Sequence, residues 1–260
     1  MRIQYASDLH LEWEENFAFV MDGGLEAAAG DCLVLAGDIA PLAWLDDYRA
    51  FWDWCSKNFA LTIFVPGNHD YYGRWKSLRK LQRPVSIDIR PNVLCRSNQS
   101  VWFGSTEFVC STLWTHVPPQ DETLVQVGMP DYRFIQYRDM DIPMDLNILP
   151  EDTNHWHAGA LSFLKRTVAA SAAESIVVVT HHVPSFALCP PEQLGSPLQN
   201  AFYAELGNWI ADSRINAWIY GHSHIAGEER IGQTVMLSNP LGYLNLKQGK
   251  NFEDGKILFL

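Results

Sequence analysis

Aspartate, asparagine and histidine recur in this chain where an apolar run has just ended. Asp8 and His10 follow Arg2–Ala6, and Asp38 follows Cys32–Ala36 across Gly37. Asn68, His69 and Asp70 follow Leu61–Val65 across Pro66-Gly67, and His181 and His182 follow Ile176–Thr180. His222 and His224 follow Ala217–Tyr220 in the stretch Gly221-His222-Ser223-His224. Carboxylate, amide oxygen and neutral imidazole together, without thiolate, suit Mn, Fe, Zn, Co or Ni and argue against a structural zinc cage. Taken singly, each fragment fits a turn aspartate or a surface histidine, and Gly67-Asn68 is a turn dipeptide in its own right. His222 and His224 are the sharpest fragment, because residues two apart on an extended segment project to one side. Six of the nine histidines fall in these stretches, so a joint metal site outweighs five separate coincidences. For His182 the favoured reading is a satisfied core histidine.

The elements that must position these residues read as α/β. The five apolar runs are near-continuous in Val, Ile, Leu and aromatics, as expected of strands buried on both faces. In such sheets ligands bind beyond the carboxyl ends of the strands, so the five junctions can share one rim. Three helical stripes lie between them: Leu45, Tyr48, Trp52, Cys55 and Phe59; Trp156, Ala160, Leu164 and Val168, after candidate caps at Asp152 to Asn154; and Phe202, Leu206, Trp209 and Ile210. Many of the ten tryptophans fall on these stripes, which assigns them to core packing. A middle group, Asn92–Arg96, Val101–Gly104 and Phe108–Trp114, predicts antiparallel strands. No composition break marks a linker, so residues 1–260 read as one domain, with a lid or specificity insert around 116–152.

Composition excludes several classes. Hydrophobic residues make up 47% and charged residues 19% of the 260, an ordinary globular balance. There is no run of about 18 apolar residues to span a membrane. The first residues turn polar too early for a secretory signal, so a cytoplasmic location is expected. Five widely spaced cysteines without a Cys-x-x-Cys pair read as reduced core thiols. A net charge of −11 argues against bulk nucleic-acid binding through phosphate neutralisation. It does not exclude a small phosphate substrate, because bound cations outweigh a distant acidic field.

In their order along the chain, Asp8-Leu9-His10, Gly37-Asp38, Gly67-Asn68-His69-Asp70, His181 and Gly221-His222-Ser223-His224 resemble the calcineurin-like metallophosphoesterase superfamily over residues 8 to 224. The resemblance implies a four-layer αββα sandwich of two mixed β-sheets flanked by helices. It also implies two divalent metal ions: Asp8, His10 and His224 on one, Asn68, His181 and His222 on the other, and Asp38 bridging. His69 would stand near the leaving group, with Asp70 orienting its ring. The chemistry agrees: two cations roughly 3.5–4 Å apart clamp the attacking and leaving oxygens and lower the pKa of water toward 7. An imidazole of ordinary pKa about 6.5 suits proton donation to a departing alkoxide.

Departures narrow the subfamily. Asp38 is followed by Ile39-Ala40-Pro41, unlike the Val-Asp-Arg-Gly of protein Ser/Thr phosphatases, and Pro41 stands where purple acid phosphatases carry Tyr. His69 stands where lipid A pathway pyrophosphatases carry Arg. Ser111–Thr115 and Ser238–Tyr243 are similar to a group of small bacterial predicted phosphohydrolases. Substrate contacts are sought in Tyr72 and Arg74, after the Gly-Asn-His-Asp turn, and in Tyr132, Arg133, Tyr137 and Arg138 of the insert. His116, His155 and His157 read as loop or surface residues. The leading expectation is hydrolysis of a phosphomonoester or phosphodiester of a small substrate, nucleotides included. A Ser/Thr protein phosphatase and a non-catalytic scaffold on the same fold are the alternatives.

Overall fold

The computed structural model describes residues 1–28, 30–73, 84–138 and 145–260. In chain order the strands are β1 (Arg2–Ala6), β2 (Cys32–Ala36), β3 (Leu61–Val65), β4 (Val85–Arg90), β5 (Val93–Ser97), β6 (Gln99–Phe103) and β7 (Thr106–Ser111). There follow β8 (Gln136–Arg138), β9 (Asp145–Asn147), β10 (Ser175–Thr180), β11 (Ala217–Tyr220), β12 (Gly227–Ile231), β13 (Thr234–Ser238) and β14 (Ile257–Phe259). One six-stranded sheet has the order β14-β1-β2-β3-β5-β4 and a second β12-β13-β11-β10-β7-β6. The four inner strands of each are parallel, and each sheet carries antiparallel strands at both edges.

The side-chain period of two explains why the inner strands are apolar throughout. In β2, Cys32, Val34 and Ala36 face Phe108, Val177, Val179 and Ile219 of the other sheet, forming a core between the sheets. Leu33 and Leu35 of the same strand point the opposite way, onto Phe51, Trp52 and Cys55 of helix α2. Helices α1 (Glu14–Phe19) and α2 (Arg49–Asn58) belong to this side, with the short α3 (Glu122–Gly128) and α4 (Asp131–Phe134) of the insert. On the far side, Ala160, Leu164 and Val168 of α5 (Pro150–Ala170) pack on Val109, Ile176 and Val178. The layers are therefore helix, sheet, sheet, helix. No helix among the described residues is long and apolar enough to cross a membrane.

Several expectations need correction. The middle strands do not form one antiparallel group: β5 joins the first sheet parallel to β3, while β6 and β7 join the second, with β7 parallel to β10. The stripe from Phe202 to Ile210 is two short helices, α6 (Gln199–Phe202) and α7 (Gly207–Ala211), because Val183 pairs with Tyr203 between them. Helix α5 starts earlier than the expected caps. Pro150 holds its first position, Asp152 accepts from the Leu149 N–H at 2.8 Å, and Asn154 instead ties down Val117. Trp13, Trp44 and Trp102, which lie off the helical stripes, are about half exposed. The insert expected around 116–152 contains α3, α4 and the ribbon β8–β9. All five cysteines are free and buried, as their spacing suggested.

Candidate metal centre

The sequence-predicted ligands meet where the carboxyl ends of the two sheets adjoin. The chain leaving β1 pairs with that leaving β13 through a Ser7–Pro240 bridge, and the Asp8 N–H donates to Gly37 O at 2.9 Å. The Gly221 N–H donates to His181 O at 3.0 Å, tying the end of β11 to that of β10. Ligand-bearing turns from both sheets are thus fastened to one another by backbone.

These turns are tight. Asp8, His10, Asp38, His222 and His224 all have positive φ, between 47° and 69°, in the left-handed region. Asp and His visit that region more readily than most residues, but each such residue stores on the order of 1–3 kcal/mol. Gly37 (φ 90°) has no room for a side chain, since a Cβ there would lie 2.1 Å from Nδ1 of His181. Strain gathered at the ligand positions aims the side chains at a common centre.

Among the described residues three groups of donor atoms result, each with all atoms within 4.8 Å of one another: Asp8, His10 and His224; His10, Asp38 and His69; and Asp38, His181 and His222. Asp38 belongs to two of them. Its Oδ1 accepts from the His69 N–H at 2.8 Å, while its Oδ2 lies 3.3 Å from His181 Nε2 and 3.8 Å from His10 Nε2. Asn68 Oδ1 is 3.0 Å from His181 Nε2, and His224 Nε2 is 3.3 Å from Asp8 Oδ1 and 3.2 Å from His10 Nε2. Asp8 and Asp38 are 0% and 2% exposed. No Lys or Arg pairs with either among the described residues. Buried carboxylates whose side-chain partners are imidazole and amide, with no Lys or Arg beside them, suit bound cations as their counter-charge. The set fits hard-to-borderline divalent cations.

The electrostatics follow this crowding. Burial would raise the Asp38 pKa, but His181 and its other imidazole neighbours outweigh that and hold it well below the carboxylate range. Asp8 is likewise held down, against burial, by His224. Burial works against charge on His69 and His181, yet Asp38 prevails at both rings, with Glu12 aiding at His69, and raises each pKa to about 9. His182 is pushed by burial and by His181 down to about 3. It is the core histidine expected, with Nδ1 against Thr112 O at 3.2 Å and its ring 4.3 Å from that of His222.

Asp70 departs from its expected role. It does not touch the His69 ring. Oδ1 accepts from the N–H groups of Ile39 (2.9 Å) and Ala40 (2.8 Å), and Oδ2 from those of Asp38 (2.8 Å) and Gly67 (2.7 Å). Burial and the Asp38 charge push its pKa up, while these donors favour the carboxylate. Asp70 is the clamp that holds the Gly37–Ala40 turn against the Gly67 turn. The partner of His69 Nδ1 is Glu12, at 3.4 Å, and Tyr243 Oη lies 3.1 Å from His69 Nε2.

Of the expected substrate contacts, Tyr72 stacks on His69 with ring centroids 4.4 Å apart. Arg133 turns away to donate to Val127 O, and Tyr132 is buried against Thr153. Arg74 and the Arg138 side chain lie outside the described residues. His155 is exposed as expected, whereas His157 is half-buried and bonded to Trp114 O. The sequence reading missed Glu12, Tyr243 and Asp131. Asp131, on α4, accepts from Asn68 Nδ2 at 2.7 Å and Tyr72 Oη at 2.5 Å, and so turns the Asn68 amide oxygen inward. Glu12 was within reach, since Asp8, His10 and Glu12 alternate; nothing local marked Asp131.

The model of calcineurin-like phosphoesterases matches residues 1–226 of the chain. A relative, an uncharacterized protein of Acanthamoeba polyphaga mimivirus, is 27% identical over 273 residues, covering 96% of this chain and 95% of its own. The crystal structure of phosphopantetheinyl hydrolase from Mycobacterium tuberculosis is similar with a TM-score of 0.72 at 16% identity, covering 99% of this chain and 95% of that one. At that identity the likeness bears on the fold: two mixed six-stranded sheets flanked by helices.

Proposed function

The chain belongs to the calcineurin-like phosphoesterase family, a hydrolytic phosphoesterase, and we propose that it cleaves small organic phosphate esters with two divalent cations gathered around Asp38. The observation that carries this reading is the position of Asp38 Oδ2, shared between His10 on one side and His181 on the other. One ion would be held by Asp8, His10, Asp38 and His224, and the second by Asp38, Asn68, His181 and His222. When bound, such a pair supplies charge neutralisation for the phosphoryl oxygens and an acidified water. Mn, Fe, Zn, Co and Ni all suit this donor set.

The chain's own residues do the rest. His69 stands beside Asp38 with Nε2 free of Glu12 and facing Tyr243 Oη, where it can give a proton to the departing oxygen. In the metal-free centre, against burial, Asp38 and after it Glu12 raise the His69 pKa, and Glu12 remains beside Nδ1 when cations take up the Asp38 charge. Trp13 (47% exposed) contacts Tyr243, and Phe134 (56% exposed) contacts Tyr72. Exposed aromatic rings packed on Tyr243 and Tyr72, the two rings next to His69, favour esters whose leaving group has a planar or apolar body, nucleotides among them. The test is a rate panel of phosphomonoesters, linear diesters and cyclic nucleotides on Mn-loaded protein. Absence of turnover of both p-nitrophenyl phosphate and its bis-ester would overturn the proposal.

A further inference from the structure

Glu12 lies in the turn between β1 and α1, two residues beyond His10. A single oxygen, Oε1, stands 2.9 Å from His10 Nδ1 and 3.4 Å from His69 Nδ1. The two rings lie edge to face with each other, with centroids 4.7 Å apart, although they come from the ends of different strands. No Lys or Arg pairs with Glu12 among the described residues. Each ring turns its other nitrogen to a working position. His10 Nε2 is 3.2 Å from His224 Nε2 and 3.8 Å from Asp38 Oδ2, and His69 Nε2 is 3.1 Å from Tyr243 Oη. A carboxylate only accepts, so it fixes the proton on Nδ1 of both rings.

We propose that Glu12 is a positioning residue shared by the metal centre and the leaving-group histidine. Through one oxygen it keeps the His10 Nε2 lone pair directed into the Asp8–His224 group and holds the His69 ring with Nε2 toward the departing oxygen. The inference deepens the phosphoesterase reading and rests on it. In the step served, a water oxygen bonds to phosphorus as the P–O bond to the leaving group breaks, and the proton on His69 Nε2 passes to the departing oxygen. His69 is left neutral with its Nδ1–H still on Glu12, and a proton from water restores it. One side chain thereby links metal affinity to leaving-group protonation.

Glu12→Gln tests this. The amide keeps the size of the side chain and one acceptor oxygen but carries no charge, so neither Nδ1–H keeps a charge-assisted bond. Manganese affinity, titrated calorimetrically without substrate, should fall about 10–100-fold, as for outer partners of metal-bound histidines. At saturating manganese, phenyl esters should slow more than p-nitrophenyl esters, because only the poorer leaving group needs the proton. In a His69→Ala background, Glu12→Gln should still weaken manganese binding but leave the ester ratio where His69→Ala put it. Glu12→Ala, which removes the acceptor without adding a donor, should show the same pair of losses, with thermal melting checking that both variants fold. Unchanged manganese affinity or an unchanged ester ratio would overturn the proposal, as would a ratio change that persists without His69. If the native protein turns over neither ester, the phosphoesterase reading fails, and manganese affinity in Glu12→Gln alone still decides whether Glu12 positions His10.

Discussion

Nε2 of His181 and Oδ2 of Asp38 lie 3.3 Å apart, although the strands that deliver them, β10 and β2, belong to different sheets. The contact exists because the sheets stack face to face with their parallel inner strands ending on the same rim. A centre built this way spans the two halves of the sandwich, so binding there should stabilise both.

Asp38→Asn should lower metal occupancy and activity together. Oδ2 is the atom common to both donor groups, and an amide there loses the charge that two cations share. Metal content by mass spectrometry and turnover on one ester would be measured side by side. Full occupancy with lost activity would place Asp38 in some role other than a bridge.

His69→Ala should leave the metals bound and slow esters with poor leaving groups by about 10²–10⁴-fold, the usual scale of proton donation, with activated esters affected far less. Equal losses on both ester types would remove His69 from that role.

The meeting of these side chains was largely legible in the sequence because strands buried on both faces read as unbroken apolar runs and the candidate ligands follow at once. Asp8, His10, Asp38, Asn68, His181, His222 and His224 all lie at such ends. The roles of Asp70 and Glu12 were not legible. A GlyAsnHisAsp string says nothing of which N–H groups the last carboxylate accepts, and Glu12 reaches His69 only through tertiary placement. Nor could alternation tell that β5 and β7 enter different sheets, since register and partner are set by packing between layers. Nor did anything local mark Trp13, which lies off the helical stripes, as an exposed ring beside Tyr243.

Asp70→Asn should destabilise the fold and weaken metal binding without altering the leaving-group preference. Its amide nitrogen would face two of the N–H groups now bonded to Asp70 and leave them unsatisfied, at about 1–3 kcal/mol each. Urea unfolding of the metal-free protein gives the cost directly. A variant as stable as the native protein would show that the clamp is not needed.

Gly37→Ala should fail to bind metal. The added Cβ would meet the His181 ring at 2.1 Å in a backbone at φ 90°, so the ring must leave its place beside Asp38. Native affinity in this variant would mean that His181 does not need its present position.

The central claim is that these seven side chains hold two cations on either side of Asp38. Anomalous diffraction from manganese-soaked crystals tests it most directly. The account predicts two peaks flanking Asp38 Oδ2, one toward His10 and His224 and one toward His181 and His222. A single peak, or peaks away from these residues, would contradict it.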